Sequence, residues 1–527
     1  MMEVTASPQR EAALREITSE RGDWDVIVVG GGATGLGCAV EAAARGYRTV
    51  LFEAHDFAKG TSSRSTKLAH GGVRYLRQGD VKLVLEALQE RGRMLRNAPH
   101  LAHRRAFVIP AYSALEIPFY GIGLTLYDLL ARRESIGRSR VLSRSAVQNE
   151  LPTARRDGLK GGILYYDGQF DDARYAIALL RTLFDLGGLA LNYARVAGFE
   201  KNRGRIRGVE VVDSETGQLF QAPGKVIVNA TGIFVDELRQ NDAPHSAGVV
   251  TVSQGSHLVL PKSFLPGESA LMIPRTSDGR VLFAIPWHER VLVGTTDVAV
   301  PRPEAEPAAR PDERSFLLDH IERFLGRKPE PAEILSMWSG QRPLVRHKNS
   351  GSTAAISRDH TILISESGLI TVTGGKWTTY RRMAQDAIDQ GAAAGGLRPA
   401  ESRTRDLRLH GWTRDFEKTD SWEKVYGADL AAMRALAVEN PELAKPLHAD
   451  LCIGKAEIVW GARHEMARSV EDALARRTRA LFLDARASIE AAPETARLLA
   501  AELGRDAAWQ REQVHSFQLL AQRYVWT

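Results

Sequence analysis

The chain has 527 residues, 44% of them hydrophobic and 25% charged, which implies a core built from two or three regions and excludes collagenous and disordered classes. Only two cysteines, Cys38 and Cys452, occur, so a secreted disulfide scaffold is excluded and a reducing, cytoplasmic compartment is expected. The formal net charge of +6 admits anionic lipid, nucleic acid or phosphorylated metabolites as partners and chooses none of them.

Residues 1–22 mix Glu3, Arg10, Glu11, Arg15 and Glu16 with small residues and read as a polar lead-in without the apolar centre of a secretory signal. Asp25 to Val29 is a β-branched apolar run suited to a central strand covered on both faces. Leu36 to Arg45 is alanine-rich and predicts a helix ending at Gly46, and Arg48 to Phe52 predicts a second strand ending at Glu53. Together these make a βαβ unit. Helical spacing follows from Val81 to Met94 and from Ala173 to Leu186, the latter after a likely cap at Asp171-Asp172. Strands are expected at Ile206 to Asp213, Lys225 to Asn229, His257 to Leu260, Val281 to Ile285 and Val291 to Gly294, which read as an antiparallel sheet. Pro301 to Pro311 reads as a surface connection without chemistry. From about Ser402 alanine- and arginine-rich amphipathic segments take over, at Lys455 to Arg463, Ser469 to Phe482 and Glu494 to Leu503.

Gly30 to Gly35 fits G-x-G-x-x-G between a strand and a helix, and Glu53 stands roughly 20 residues on at a strand end, placed for a ribose hydroxyl. The glycines allow a tight turn, close backbone approach to a pyrophosphate and helix packing, and the glutamate favours FAD or NAD over NADP. Lys225 to Gly232 is a second strand entering a small-residue turn, and Leu369 to Tyr380 a third, with a helix start whose N–H groups suit a flavin ring or an anion. The segment from Ser62 to Leu76 is dense in hydroxyls, glycines and cations, again suited to an anion and a flavin.

That segment closely resembles the FAD-dependent, quinone-linked glycerol-3-phosphate dehydrogenases, whose loop reads S-K-L-x-H-G-G-x-R-Y-L after serines; Thr66 here replaces the first serine of that pattern. The resemblance continues through Tyr165 to Arg174, Gly255 to His257, Gly340 to Leu344, Ile356 to His360, Thr373 to Arg381, Glu465 to Ala467 and Leu474 to Arg479, so that it runs from about Asp25 to Gln510. It implies an α/β fold: a Rossmann-like two-domain FAD oxidoreductase, with a discontinuous FAD domain, an antiparallel-sheet substrate domain and a C-terminal helical domain. The boundaries expected are 23–80, 150–240 and 340–395 for the FAD domain, 81–149 and 241–339 for the substrate domain, and 396–527 for the helices.

Carried onto this numbering, the resemblance implies non-covalent FAD held by Gly30, Gly32, Ala33, Thr34, Gly35, Glu53, Ala54, Ser62, Ser63, Lys67, Leu68, His70, Val196, Ala230, Thr231, Gly232, Gly375, Lys376, Trp377 and Thr378. It implies a glycerol 3-phosphate pocket lined by Arg74, Tyr75, His257, Arg342, Arg358 and Lys376. The chemistry agrees: a phosphomonoester near its dianionic form suits charge-assisted bonds from Arg342 and Arg358. Lys376 is expected nearer the reacting carbon, and His257 is the candidate general base for the C2 hydroxyl, with a structural histidine as the competing reading. His70 reads as a backbone-fixing or flavin-side contact and Cys38 as a packing residue. Two departures stand out: Gln254 where the family often has arginine, implying a missing substrate cation, and Trp377 where a smaller residue is usual, implying a narrower cleft.

The family uses membrane quinone or, in a smaller group, oxygen as acceptor. No run of about 18 apolar residues is present, so membrane contact is expected to be peripheral. Ile117 to Ala131, followed by Arg132-Arg133, reads either as an interfacial segment on an anionic membrane or as a buried helix of the substrate domain. The oligomeric state stays open, a homodimer being one option. Rival readings are an oxygen-using glycerol-3-phosphate oxidase, another FAD-dependent amine or hydroxy-acid oxidase, and a non-catalytic flavin-bearing nucleic-acid-binding protein. The last is disfavoured, because the cations are interleaved with Asp and Glu, and no nucleic-acid partner is expected. No metal site is expected either, since ligands at recognisable spacing are absent.

Overall fold

The computed structural model describes residues 8–19, 22–72, 80–346, 360–415 and 422–526. At its centre is the strand Trp24–Val29, whose Val26, Ile27 and Val28 are wholly buried. It pairs in parallel with Thr49–Phe52 on one side and Leu219–Asn229 on the other. Leu189–Leu191 and Ile370–Gly374 extend this parallel sheet, and His360–Ile364 closes one edge antiparallel. Both faces of such a sheet must be covered, which explains its unbroken apolar runs. The helix Ala33–Ala44 packs on the sheet between the helices Asp172–Asp185 and Tyr380–Ala394. It packs closely because Gly35 has no side chain: a Cβ there would lie 1.8 Å from the Gly30 carbonyl oxygen.

A second, mostly antiparallel sheet runs in the order Val298–Val300, Val250–Pro261, Arg290–Gly294, Leu282–Trp287, Ala270–Ile273, Ala102–Ala111, Gly161–Phe170 and Leu68–Ala69. Ser336–Val345 pairs along Val250–Pro261, and Arg140–Ser143 along Gly161–Phe170. Gly161–Phe170 therefore belongs to this sheet, although it falls inside the 150–240 segment expected with the cofactor sheet, and Ser336–Val345 crosses the expected boundary at 340. Both strands are almost wholly buried, so their hydrophobicity alone does not say which sheet they join.

The C-terminal part is helical, as expected, with one local difference. Ser469 to Phe482 is not a continuous helix: a π-helical stretch, Asp472–Arg477, ends near Arg479, whose φ is +61°, before the short helix Ala480–Leu483. The break serves three buried arginines. Arg477 bonds both oxygens of Asp56, at 2.7 and 2.8 Å, Arg476 reaches Asp56 and Asp472, and Arg479 pairs with Asp171 at 2.8 Å. The stretch 301–310 also carries a contact that its composition hides, since Glu306 pairs with Arg64 at 2.7 Å and with Lys59 at 3.5 Å.

The segment at Ile117 is the helix Glu116–Ala131, and it buries only one face, through Leu124, Tyr127 and Ala131. Leu115, Phe119, Ile122, Leu126 and Leu129, spaced by four and three residues, are exposed. Of the two readings, burial in the substrate domain holds for one face only, since a single stripe of contacts to the substrate sheet and the helix Val81–Asn97 leaves the other face outside. Among the described residues no helix is long and apolar enough to cross a membrane.

Burial alone would raise the Asp56 carboxyl, but Arg477 and Arg476 overcome this and hold it below its ordinary value. Because both side chains of the Asp56–Arg477 pair are fully buried, Arg477→Ala removes the partner that bonds both carboxylate oxygens, leaves buried Asp56 with Arg476 alone, and is expected to cost about 3 kcal/mol. A lowered urea midpoint checks it. The sign with pH follows from the depressed carboxyl: its contribution is full above the unfolded value of about 4 and is lost as pH falls towards the folded value.

Candidate active site

Both sheets open onto one cavity of about 630 Å³. Its first wall is the turn after Trp24–Val29. Gly30 has φ +107°, and a Cβ there would lie 2.6 Å from the Ala230 carbonyl oxygen, so the turn tolerates glycine alone. Gly31 donates its N–H to Glu53 Oε2 at 2.5 Å, His55 N–H donates to Glu53 Oε1 at 2.8 Å, and the Ser62 hydroxyl accepts from Ala33 N–H at 2.9 Å. Burial raises the Glu53 carboxyl, against those two backbone donors. The carboxylate is thereby aimed, with lone pairs left for a ribose.

Val196, Ala230, Thr231 and Gly232 form the opposite wall, and Asn229 Oδ1 fixes the turn by accepting the Thr231 hydroxyl at 2.8 Å. The third turn, Gly374 and Gly375 with φ +77° and +71°, presents Lys376, Trp377 and Thr378. It is tied to the first loop: Trp377 Nε1 donates to the Ser62 carbonyl at 2.9 Å, and His70 N–H to the Thr378 hydroxyl at 3.3 Å. Trp377 packs edge-on against Phe170, Tyr175 and Tyr380, so it serves as a wall anchored in the aromatic core.

Of the residues expected to hold a cofactor, Gly30, Gly32, Ala33, Thr34, Glu53, Ala54, Ser62, Leu68, His70, Val196, Ala230, Thr231, Gly232, Gly375, Lys376, Trp377 and Thr378 line this cavity. Gly35, Ser63 and Lys67 do not. Gly35 acts in helix packing, Ser63 is buried behind the loop, and the Lys67 ammonium turns inward to Asp172 at 2.6 Å and the Ser63 carbonyl at 2.7 Å. Burial outweighs Asp172 and lowers the Lys67 ammonium.

His257 and Arg342 stand together where the antiparallel sheet walls the cavity, and Lys376 also lines it. Side chains alternate along Val250–Pro261 and Ser336–Val345, so His257 and Arg342 face the cavity while Gln254 points the other way. Gln254 Nε2 donates to Glu313 at 2.8 Å and to the Ala308 carbonyl at 2.9 Å. The expectation that Gln254 leaves a gap in the substrate's cations is corrected: this position does not line the cavity. Arg342 donates to Thr295 at 3.1 Å and lies 3.6 Å from the Asp297 carboxylate. Arg74, Tyr75 and Arg358 lie outside the described residues.

The His257 ring stacks on Trp338 at 4.2 Å between centroids, and its Nε2 lies 2.9 Å from the Thr66 hydroxyl. A Cβ at Gly294 would meet the ring at 2.1 Å, so the neighbouring strand must carry glycine there. Burial, reinforced by Arg342 and Lys67, lowers the imidazole well below its ordinary value and keeps it neutral. Sequence reasoning missed Phe107, Tyr165, Met272 and Phe283, which give the cavity apolar walls, and Thr295 and Asp297, which hold Arg342. Only the strand alternation around His257 hinted at this wall.

The family model described as FAD dependent oxidoreductase matches residues 25–381, and the one described as the C-terminal domain of alpha-glycerophosphate oxidase matches residues 369–510. A mitochondrial glycerol-3-phosphate dehydrogenase from Macaca fascicularis is 38% identical, the alignment covering 97% of this chain and 74% of that protein. One from Arabidopsis thaliana is 37% identical, with 97% and 88% covered. The structure of the glycerol-3-phosphate dehydrogenase from Bacillus halodurans complexed with FAD is similar with a TM-score of 0.80 at 27% identity, covering 99% of this chain and 98% of that one. The L-alpha-glycerophosphate oxidase of Mycoplasma pneumoniae, at TM-score 0.56 and 16% identity over 73% of this chain and 98% of that one, shares the fold.

FAD fits the cradle as built: close-approach glycines, an aimed carboxylate and turns that expose backbone N–H groups. Gly30→Val puts a side chain where only 2.6 Å separates Cβ from backbone, so the purified variant is expected to lose flavin, read as its flavin-to-protein absorbance ratio. A yellow variant of unchanged ratio would show that the cofactor lies elsewhere.

Proposed function

The chain belongs to the FAD-dependent glycerol-3-phosphate dehydrogenase family, and from that premise we propose that it oxidises sn-glycerol 3-phosphate to dihydroxyacetone phosphate and passes the electrons to membrane quinone. The observation that carries this reading is one cavity lined by Arg342 and His257 from the antiparallel sheet, by Lys376 and by the dinucleotide cradle. Arg342, held by Thr295 and Asp297, binds the phosphate with charge-assisted hydrogen bonds, joined by Arg358. Arg74 and Tyr75 are assigned to substrate binding by the sequence resemblance alone. Lys376, which follows the third glycine turn and lines the cavity, would favour the alkoxide character that develops on the C2 oxygen. His257 is neutral and thus able to accept the hydroxyl proton. FAD, held by the glycine turns and Glu53, would supply the hydride acceptor for C2. The apolar walls at Phe107, Tyr165, Met272 and Phe283 exclude water from the cavity.

Anaerobic mixing of the yellow protein with glycerol 3-phosphate is expected to bleach the flavin, whereas glycerol is not. Arg342→Ala is expected to raise the KM for glycerol 3-phosphate by about 10- to 100-fold, the size of a lost charge-assisted bond. Bleaching by both compounds alike contradicts phosphate recognition. Restoring colour with a quinone analogue against air then separates dehydrogenase from oxidase.

The quinone reading is supported by the exposed stripe on the helix Glu116–Ala131, which we assign to the interface of an anionic bilayer. Its length forbids spanning, and the exposed Arg132, Arg138 and Arg144 follow it in the chain, as anionic headgroups require. The wild-type protein is expected to float with phosphatidylglycerol vesicles in a density gradient. Phe119→Ser combined with Ile122→Ser is expected to remain at the bottom while still bleaching with substrate.

A further inference from the structure

The reaction just described leaves open how a proton reaches His257. The imidazole is only 1% exposed, is stacked on Trp338 and is confined on another side by the backbone of Gly294. Its Nδ1 is buried and makes no hydrogen bond among the described residues. Its Nε2 reaches one group, the Thr66 hydroxyl, at 2.9 Å, and Thr66 itself lines the cavity.

Thr66 is also held unusually firmly. The residues on either side of it are fixed to the same buried carboxylate: Ser65 donates to Asp172 Oδ2 from its hydroxyl at 2.7 Å and its N–H at 3.0 Å, and the Lys67 ammonium donates to Asp172 Oδ1 at 2.6 Å. Lys67 N–H in turn donates to the Ser65 hydroxyl at 3.0 Å. A hydroxyl so placed has one proton and two lone pairs, enough to donate to one partner while accepting from another.

Resting on the reading of glycerol 3-phosphate as substrate, we propose that Thr66 is a catalytic proton relay between the C2 hydroxyl and His257. The C2 O–H bond breaks and its proton bonds to Thr66 Oγ1, while the proton that Thr66 carried moves to the lone pair of His257 Nε2. The electron pair of the broken O–H bond becomes the second C2–O bond, and the C2–H pair leaves as hydride to FAD. Charge and atoms balance: substrate loses one proton and one hydride, His257 gains the proton, and Thr66 is unchanged. The scheme requires the imidazole tautomer with hydrogen on Nδ1. It also explains how so enclosed a histidine serves the cavity: the hydroxyl, not the ring, meets the substrate. Charge on the newly formed imidazolium is opposed by Arg342 and Lys67 and balanced by the substrate phosphate that Arg342 holds.

The FAD-loaded enzyme is mixed anaerobically with glycerol 3-phosphate in stopped flow, as wild type, Thr66→Ser and Thr66→Val. Thr66→Val, which keeps the shape and removes the hydroxyl, is expected to slow flavin reduction by about 10²- to 10⁴-fold with little change in KM, and Thr66→Ser to restore most of the rate. In protein carrying ¹⁵N-labelled histidine, Thr66→Val is expected to shift the His257 Nε2 resonance, a readout that does not depend on turnover. The wild type alone supplies a further test: flavin reduction in H₂O–D₂O mixtures is expected to follow a curved proton inventory, with two protons in motion. A linear inventory, or a Thr66→Val enzyme as fast as wild type, overturns the relay and leaves the substrate assignment standing. If Thr66→Val does not retain flavin, the wild-type inventory decides. If the wild type is not reduced by glycerol 3-phosphate at all, the substrate reading falls, and the relay with it.

Discussion

The Asp56 carboxylate, sealed between Arg476 and Arg477, is the contact on which the rest of the cofactor wall depends. It sits between Glu53, which the cradle aims, and the stretch Lys59 to Ser62, which closes the cavity. Lys59 is drawn the same way, to Glu471 of the C-terminal helices at 2.7 Å, and Arg64 to Glu306 at 2.7 Å. Removing water from so many charges is costly, and the arrangement is stable because each carboxylate meets more than one cation. The helical region is thus more than a cap on the outside. It holds in place the loop that joins the cofactor cradle to the substrate wall.

That loop divides the chemistry between two sheets. The parallel sheet supplies glycine turns and backbone N–H groups, which suit a cofactor recognised mainly through its phosphates and ribose. The antiparallel sheet supplies His257 and Arg342 from adjacent strands whose alternation points both into the cavity. The junction is crossed by the bonds from Trp377 to Ser62 and from His70 to Thr378, so relative movement of the loop and the third glycine turn is restrained. Preorganisation of this kind is what lowers the cost of ordering groups in a transition state.

The first βαβ unit was legible because strand, glycine turn, helix and acidic strand end are local in sequence, and each demands a particular residue type. The glycine turns at 232 and 375 were legible for the same reason. What the sequence hid is nonlocal. Asp56 and Arg477 stand 421 residues apart, and nothing near either one announces the other. Gly161–Phe170 is apolar enough for either sheet, so only pairing decides its place. Reading Gln254 to His257 as one block misplaced Gln254, because in a strand neighbouring side chains face opposite sides. By its place in the loop Lys67 reads as a cofactor contact, yet the same loop needs an internal cation to hold Asp172. Thr66 was visible as a departure in residue type, while its bond to His257 required the fold.

Glycerol 3-phosphate deuterated at C2 tests the central claim most directly, since it ties the cofactor cradle and the phosphate-facing wall to one bond. In anaerobic stopped flow its flavin bleaching should be severalfold slower than that of the unlabelled compound, with the same final extent. Equal rates for the two, or a flavin that stays yellow with both, would contradict hydride removal from C2 at this site.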